Sequence, residues 1–212
     1  MGERHIFVRF EACHMACAYC DEVGKKSRDM SLADVLKVVA KLEKSHGPHT
    51  CVSLTGGEPL LYEDFLKPLC RALKKRRFCV LLETSGVLWR PFSKVSRDCD
   101  IIGMDLKLPS VTKQRDFLAE HRAFLAIAKK KDVYIKIVLS KNADVRDFSR
   151  HLRMVAAVAP ATPVFLQPLS RSGKVYPDLL LLHHLNKLQR IGAKWLPDVR
   201  VGIQLHKLLN VR

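Results

Sequence analysis

His5-Ile6-Phe7-Val8-Arg9-Phe10-Glu11-Ala12-Cys13-His14-Met15-Ala16-Cys17-Ala18-Tyr19-Cys20 sets a short alternating run of β-formers directly ahead of three crowded cysteines. The run from His5 to Phe10 reads as a strand that passes straight into a cysteine loop. Beyond the loop, Ser31 offers an N-cap, and Leu32, Val35, Leu36, Val39 and Leu42 recur at helical spacing. A second strand over Cys51 to Leu54 breaks at Gly56-Gly57, and an amphipathic helix follows over Tyr62 to Lys75. The same rhythm gives strands at Phe78 to Leu82, Asp100 to Met104, Val133 to Leu139 and Val164 to Leu166, with a last extended piece at Val199 to Ile203. Helices are expected around Phe117 to Ala128, over Val145 to Val158 and over Leu179 to Ile191. Strands alternating with helices pair in parallel through right-handed crossovers, so the class is α/β, as a layer or as an open or closed barrel. One domain over 1–212 suffices.

In such folds ligand chemistry gathers where the carboxyl ends of the strands emerge. The first strand exits into Cys13, Cys17, Cys20 and Asp21, and the second into Thr55-Gly56-Gly57-Glu58-Pro59. The third exits into Glu83-Thr84-Ser85-Gly86, the fourth through Asp105-Leu106-Lys107 and the sixth through Gln167-Pro168. Each exit offers metal ligands, carboxylates, amide donors or a lysine.

With 212 residues, 48% apolar and 27% charged, the chain has enough apolar surface to bury a sizeable core, which argues against a disordered tail. Its 37 Lys and Arg against 21 Asp and Glu leave a net charge of +16, a surface suited to acidic ligands, nucleic acid or anionic lipid. Two basic runs, Lys74-Lys75-Arg76-Arg77 and Lys129-Lys130-Lys131, each close a helix, where cations complement the dipole. Much of the charge is thereby explained without a polyanion, and at 7% aromatics base stacking is not expected either. The apolar runs are far short of the roughly 18 residues of a membrane span. No secretory leader pattern is visible at the N-terminus, so a cytoplasmic protein is expected.

Seven cysteines, three of them within eight positions, do not describe a disulfide framework. Cys51, Cys70, Cys79 and Cys99 are scattered in apolar contexts and read as core. Cys13-x3-Cys17-x2-Cys20 brings three thiolates to one centre, as an iron–sulfur cubane with one open iron requires. Zinc completed by His14 or a distant fourth ligand is the alternative, but structural zinc usually comes with paired Cys-x2-Cys units.

The triad, with Tyr19 before its last cysteine, resembles the signature of the radical S-adenosylmethionine (SAM) superfamily, and Gly56-Gly57-Glu58-Pro59 looks like the motif that holds the SAM methionine group. Phe7-Val8-Arg9-Phe10, Tyr19-Cys20-Asp21, Glu83-Thr84-Ser85-Gly86, Asp105-Leu106-Lys107-Leu108-Pro109-Ser110, Gln167-Pro168 and Gln204-Leu205-His206-Lys207 extend the resemblance nearly end to end to the 7-carboxy-7-deazaguanine synthase family. That resemblance implies a partial, open TIM-like barrel of parallel strands with outer helices. It implies a [4Fe–4S] cluster, SAM and Mg2+, and conversion of 6-carboxy-5,6,7,8-tetrahydropterin into 7-carboxy-7-deazaguanine for queuosine-type pathways. Carried over by position, Cys13, Cys17 and Cys20 hold the cluster, Tyr19, Asp21, Gly57, Lys107 and Gln167 line the SAM site, and Arg9 and Thr55 face the pterin. A guanidinium suits a carboxylated substrate, since it pairs bidentately and stays charged. His206 and Lys207 lie near a C-terminus that in the family folds toward the substrate. The expected partners are the small pterin, an electron donor such as flavodoxin or ferredoxin, and a second copy in a homodimer, with neither membrane nor nucleic acid.

Two departures stand out. Glu22 occupies the place of the family's magnesium-binding threonine; a carboxylate is the harder ligand, so magnesium stays compatible, while its charge also bears on substrate choice. Family members carry a Gln-Gly-Glu-Gly-like, pterin-contacting segment before Phe-Val-Arg, and Met1-Gly2-Glu3-Arg4 begins just past it. Either the natural start lies upstream or part of the pterin pocket is missing. Two other readings compete: a glycyl-radical-enzyme activase, which shares the triad and the Gly-Gly-Glu-Pro-Leu run, and a zinc-stabilised basic nucleic-acid-binding module.

Overall fold

The structure is a computed structural model that describes residues 3–20, 24, 27–169 and 179–202. Seven strands, β1 (His5–Phe10), β2 (Cys51–Gly56), β3 (Cys79–Thr84), β4 (Ile101–Asp105), β5 (Asp132–Leu139), β6 (Val164–Pro168) and β7 (Val199–Val201), form one parallel sheet in chain order. β1 and β7 are its two edges, so the arc stays open, as the partial TIM-like barrel requires. The connections carry α1 (Leu32–His46), α2 (Glu63–Lys75), α3 (Trp89–Val95), α4 (Pro109–Thr112), α5 (Leu118–Ala128), α6 (Val145–Val158) and α7 (Leu179–Gly192). Right-handed crossovers between sequential strands stack the helices on one face and leave the other concave.

Strand periodicity divides the side chains between these faces. Val52 and Leu54, Val80 and Leu82, Ile102 and Met104, Ile135 and Ile137, and Val164 and Leu166 pack beneath the helices in one core. Phe92 of α3 and Phe124 of α5 stack there with centroids 4.1 Å apart. The opposite parity puts Arg9, Thr55, Glu83, Asp105, Lys136 and Gln167 on the concave face. Register places Arg9 beside Thr55 and Asp105 beside Lys136. Of the scattered cysteines, Cys51, Cys70 and Cys99 are buried, while Cys79 at the start of β3 is half-buried.

Local chemistry sets the helix starts. The Ser31 hydroxyl accepts from the Asp34 amide at 3.2 Å while the Asp34 carboxylate accepts from the Ser31 amide at 3.1 Å, a reciprocal cap. Asp144 caps α6 by accepting from the Asp147 amide at 2.8 Å. α3 and α4 are not among the helices that periodicity predicts. Both are short, at 7 and 4 residues, and neither has a side-chain cap, so too little of either repeats to register as amphipathic. β2, β3 and β6 also run past their expected ends, because the ladder continues through Thr55, Glu83 and Gln167, polar residues that line the concave face.

One buried carboxylate binds two strand exits together. Glu58, with no exposed surface, accepts from the Leu60 amide at 3.2 Å, the Thr84 hydroxyl at 2.8 Å and the Ser85 amide at 2.9 Å, and also from the Ser85 hydroxyl. Two glycines bring its loop against β1. A Cβ on Gly57 would stand 2.2 Å from the Ala12 carbonyl oxygen, and Gly56, at φ +106°, would meet that of Phe10 at 2.3 Å. Glycine is therefore obligatory for this approach. Substituting Glu58→Gln replaces one of the two accepting oxygens with an NH2 that faces donors, which costs about 1–3 kcal/mol. Urea denaturation should show a lowered midpoint; an unchanged midpoint would deny the clamp any weight.

Candidate functional site

The cysteine loop leaves β1 and rests on the segment after α4. The Ala18 amide donates to the Thr112 carbonyl at 3.1 Å, and the Gln114 side-chain amide donates to the Ala16 carbonyl at 2.9 Å. Beneath it, Met15, Val87 and Phe117 form a small apolar cluster that Cys17 joins. Cys13 and Cys20 are exposed and Cys17 is half-buried. Inside the loop, the Cys20 amide donates to the Cys17 carbonyl at 3.0 Å, and the Met15 amide points at Cys13 Sγ at 3.4 Å.

The three thiols sense one another. Burial pushes Cys13 and Cys17 above the ordinary thiol range; the Met15 amide and Lys107 pull against this at Cys13, and Lys107 at Cys17. Cys20 raises both, and Cys13 raises Cys17. Among the described residues no group of three His, Cys, Asp or Glu is already gathered as a metal shell. The loop presents three neighbouring thiols that act on one another electrostatically. Soft donors, exposed on one loop with a buried cation close by, fit a thiolate-held iron–sulfur cluster.

That cation is Lys107. Its Nζ lies 2.9 Å from Asp105 Oδ2 and 5.5 Å from the centre of the Tyr19 ring. Lys136 approaches the same Asp105 oxygen at 3.3 Å and Glu83 at 4.0 Å. Burial disfavours charge on both partners of the Lys107–Asp105 pair. Lys107 and Lys136 outweigh it at Asp105, whose carboxyl is held below the usual range; Asp105, Tyr19 and Cys17 outweigh it at Lys107, whose ammonium is raised. Tyr19 is raised too, first by burial and then by Asp105, so its phenol keeps its proton.

The expected site residues fall into three groups. Cys13, Cys17, Cys20, Tyr19 and Lys107 meet at one mouth, with Gly57 packed on the backbone of residues 11 and 12 that enters the loop. Arg9 and Thr55 are register neighbours at the ends of β1 and β2, and the Arg9 guanidinium lies 5.1 Å over the Phe7 ring. Gln167 sits across the arc on β6, paired with Val138. Asp21, Glu22, His206 and Lys207 lie outside the described residues. Gly57 makes its close approach to the chain's own backbone, and the Glu58 carboxylate turns inward to the β3 exit. Lys136 and the carboxylates of Glu83 and Asp105 carry no assigned role in the sequence reading. The signal for Lys136 was a lone cation in an apolar strand, at the parity opposite Ile135 and Ile137.

Residues 7–155 match the Radical SAM superfamily model. The 7-carboxy-7-deazaguanine synthase of Geobacter sulfurreducens is 33% identical over 232 residues, covering 99% of this chain and 91% of that protein. The synthase of Methanopyrus kandleri is 31% identical over 230 residues, covering 99% and 87%. In fold, a radical SAM methyltransferase from Sphaerobacter thermophilus superposes with a TM-score of 0.67 at 16% identity, covering 93% of this chain and 65% of that one. SuiB of Streptococcus suis bound to S-adenosylmethionine gives 0.65 at 15% identity, with 96% of this chain covering 48% of that structure. A strand that empties into three cysteines, a buried lysine set against them, and relatives alike over the whole length agree: the chain belongs to the radical SAM superfamily, and within it to the 7-carboxy-7-deazaguanine synthase family.

Proposed function

We propose that this protein is a radical SAM carbon–nitrogen lyase that converts 6-carboxy-5,6,7,8-tetrahydropterin into 7-carboxy-7-deazaguanine. The observation that carries the reading is the likeness to synthases of that product over 99% of the chain. It favours the synthase over an activase or a zinc-stabilised module. A [4Fe–4S] cluster held by Cys13, Cys17 and Cys20 would supply one-electron reductive cleavage of SAM and, through it, hydrogen abstraction from substrate. The work of the protein is to bind, orient and exclude water.

Cys13, Cys17 and Cys20 would hold the cluster as thiolates. Lys107, fixed by Asp105 and facing Cys17, lowers the cost of gathering negative charge there and offers an ammonium to the carboxylate of SAM. Tyr19, neutral and stacked near that ammonium, walls the mouth against water, and Gly57, Asp21 and Gln167 would complete the SAM pocket. Arg9 and Thr55 would receive the pterin, the guanidinium taking its carboxylate. Glu22 would hold Mg2+ through carboxylate oxygen. An external one-electron donor of the flavodoxin or ferredoxin type and a homodimeric, cytoplasmic enzyme complete the proposal. No described helix is long and apolar enough to cross a membrane.

The anaerobically reconstituted chain, given SAM, reductant and the carboxypterin, should release 7-carboxy-7-deazaguanine detectable by mass spectrometry; SAM cleavage without that product would reject the substrate. Cys17→Ala should lose both iron and 5′-deoxyadenosine formation, and normal output from it would refute the cluster assignment. Arg9→Ala should keep uncoupled SAM cleavage while the apparent KM for the pterin rises about tenfold, the loss of about 1.4 kcal/mol of binding. An unchanged KM would remove Arg9 from the substrate site.

A further inference from the structure

His121 belongs to α5 and has no exposed surface, yet its ring is wedged under the mouth of the concave face. Nε2 stands 3.2 Å from the Ser85 carbonyl oxygen and 3.5 Å from the Lys107 amide nitrogen. Ser85 leaves β3 and Lys107 leaves β4, so one nitrogen lies between two strand exits. The ring meets Phe117 edge-on at 6.4 Å between centroids, and Phe117 packs with Met15 and Cys17 of the cysteine loop. On another side it meets the His151 ring at 6.2 Å. Supports of the loops after β1, β3 and β4 therefore converge on one imidazole.

Burial, and then the charge of His151, push the His121 ring down to about 4, so it is neutral near pH 7 and carries one N–H. The Ser85 carbonyl accepts only, and it is the nearer contact, which places the proton on Nε2 and leaves the Lys107 amide a neighbour of that nitrogen without a hydrogen bond to it. Nδ1 then has no hydrogen-bond partner among the described residues. Leaving a buried polar atom unpaired is costly, and an apolar ring would avoid it. Nε2 is thus the ring atom through which His121 makes its polar contact with the mouth.

We infer that His121 is a positioning residue of the SAM site: by donating to Ser85 and bracing Phe117, it sets the β1 and β3 exits against one another and so holds the cysteine loop against Lys107 at the β4 exit. It touches neither cofactor nor substrate. The inference rests on the cofactor mouth described under Proposed function.

The test compares His121→Phe with His121→Gln in the full, reconstituted chain. Phenylalanine keeps the edge contact with Phe117 but cannot donate, whereas a glutamine amide can reach the Ser85 carbonyl. Iron content, melting temperature, KM and kcat for 5′-deoxyadenosine formation, and the change SAM induces in the electron paramagnetic resonance spectrum of the reduced cluster are measured together. His121→Phe should hold wild-type iron, show a KM for SAM raised about tenfold with kcat changed less, and need more SAM for the spectral change; His121→Gln should stay within about twofold of wild type. Equal KM in wild type and His121→Phe, or equal impairment of both variants, overturns the inference. Should His121→Phe not fold, Phe117→Leu serves: raised KM with normal iron supports the brace, and unchanged KM overturns it. A wild-type chain that takes up iron but cleaves no SAM instead overturns the cofactor reading, and the positioning role with it.

Discussion

At the centre of the concave face a single carboxylate, Asp105, lies between two ammonium groups, Lys107 at 2.9 Å and Lys136 at 3.3 Å. Both partners of the nearer pair are almost wholly buried, with side chains 13% and 14% exposed. Isolated buried charges are too costly to persist, and a pair persists only where geometry and further contacts compensate desolvation. The arrangement is therefore a constraint on everything around it. Asp105 must stay at the last position of β4 and in register with Lys136, which fixes how β4 and β5 align. Lys107, two residues on, then stands beside Tyr19 and Cys17. The mouth inherits its charge pattern from the sheet register.

A second constraint comes from the Glu58 carboxylate, which joins the β2 and β3 exits by accepting from Leu60, Thr84 and Ser85. The two carboxylates divide the labour. Glu58 is wholly buried and satisfied by neutral donors, so it fixes shape. Asp105 is matched by cations, so it fixes electrostatics. Between them the four loops nearest the cysteines are tied to strands rather than left to their own conformations, and rigid support of this kind is what a site needs to hold geometry within a fraction of an ångström.

Much of this was readable in the chain, for identifiable reasons. β1 and α6 appear with the bounds that periodicity gives, because alternation at His5 to Phe10 and the helical apolar repeat over Val145 to Val158 are local signals. Strand ends were less readable: hydrophobicity stops at Leu54 and Leu82, while backbone pairing continues to Gly56 and Thr84. The cysteine loop and Lys107 were legible as motif residues. Their supports were not. His121 sits at a core position of an amphipathic helix, and nothing in linear order ties it to Ser85, 36 residues away. Lys136 was visible only as an interruption of an apolar run, since its partner is set by register and not by sequence spacing.

The large positive charge is answered by the same structural logic. At the end of α2, Lys74 pairs with Asp100 at 2.5 Å and the Arg76 guanidinium donates to the Ala72 carbonyl at 3.3 Å. At the end of α5, Lys129 donates to the Val158 carbonyl at 3.2 Å and Lys131 to that of Arg97 at 3.4 Å. The last carbonyls of a helix carry partial negative charge and lack intrahelical donors, so cations there satisfy both the dipole and the backbone. These helix ends precede strands, on the side of the sheet away from the strand exits. The basic runs thus belong to helix termination, whereas Arg9, Lys107, Lys136 and Arg200 are the described cations that the strands and their exits carry on the concave side.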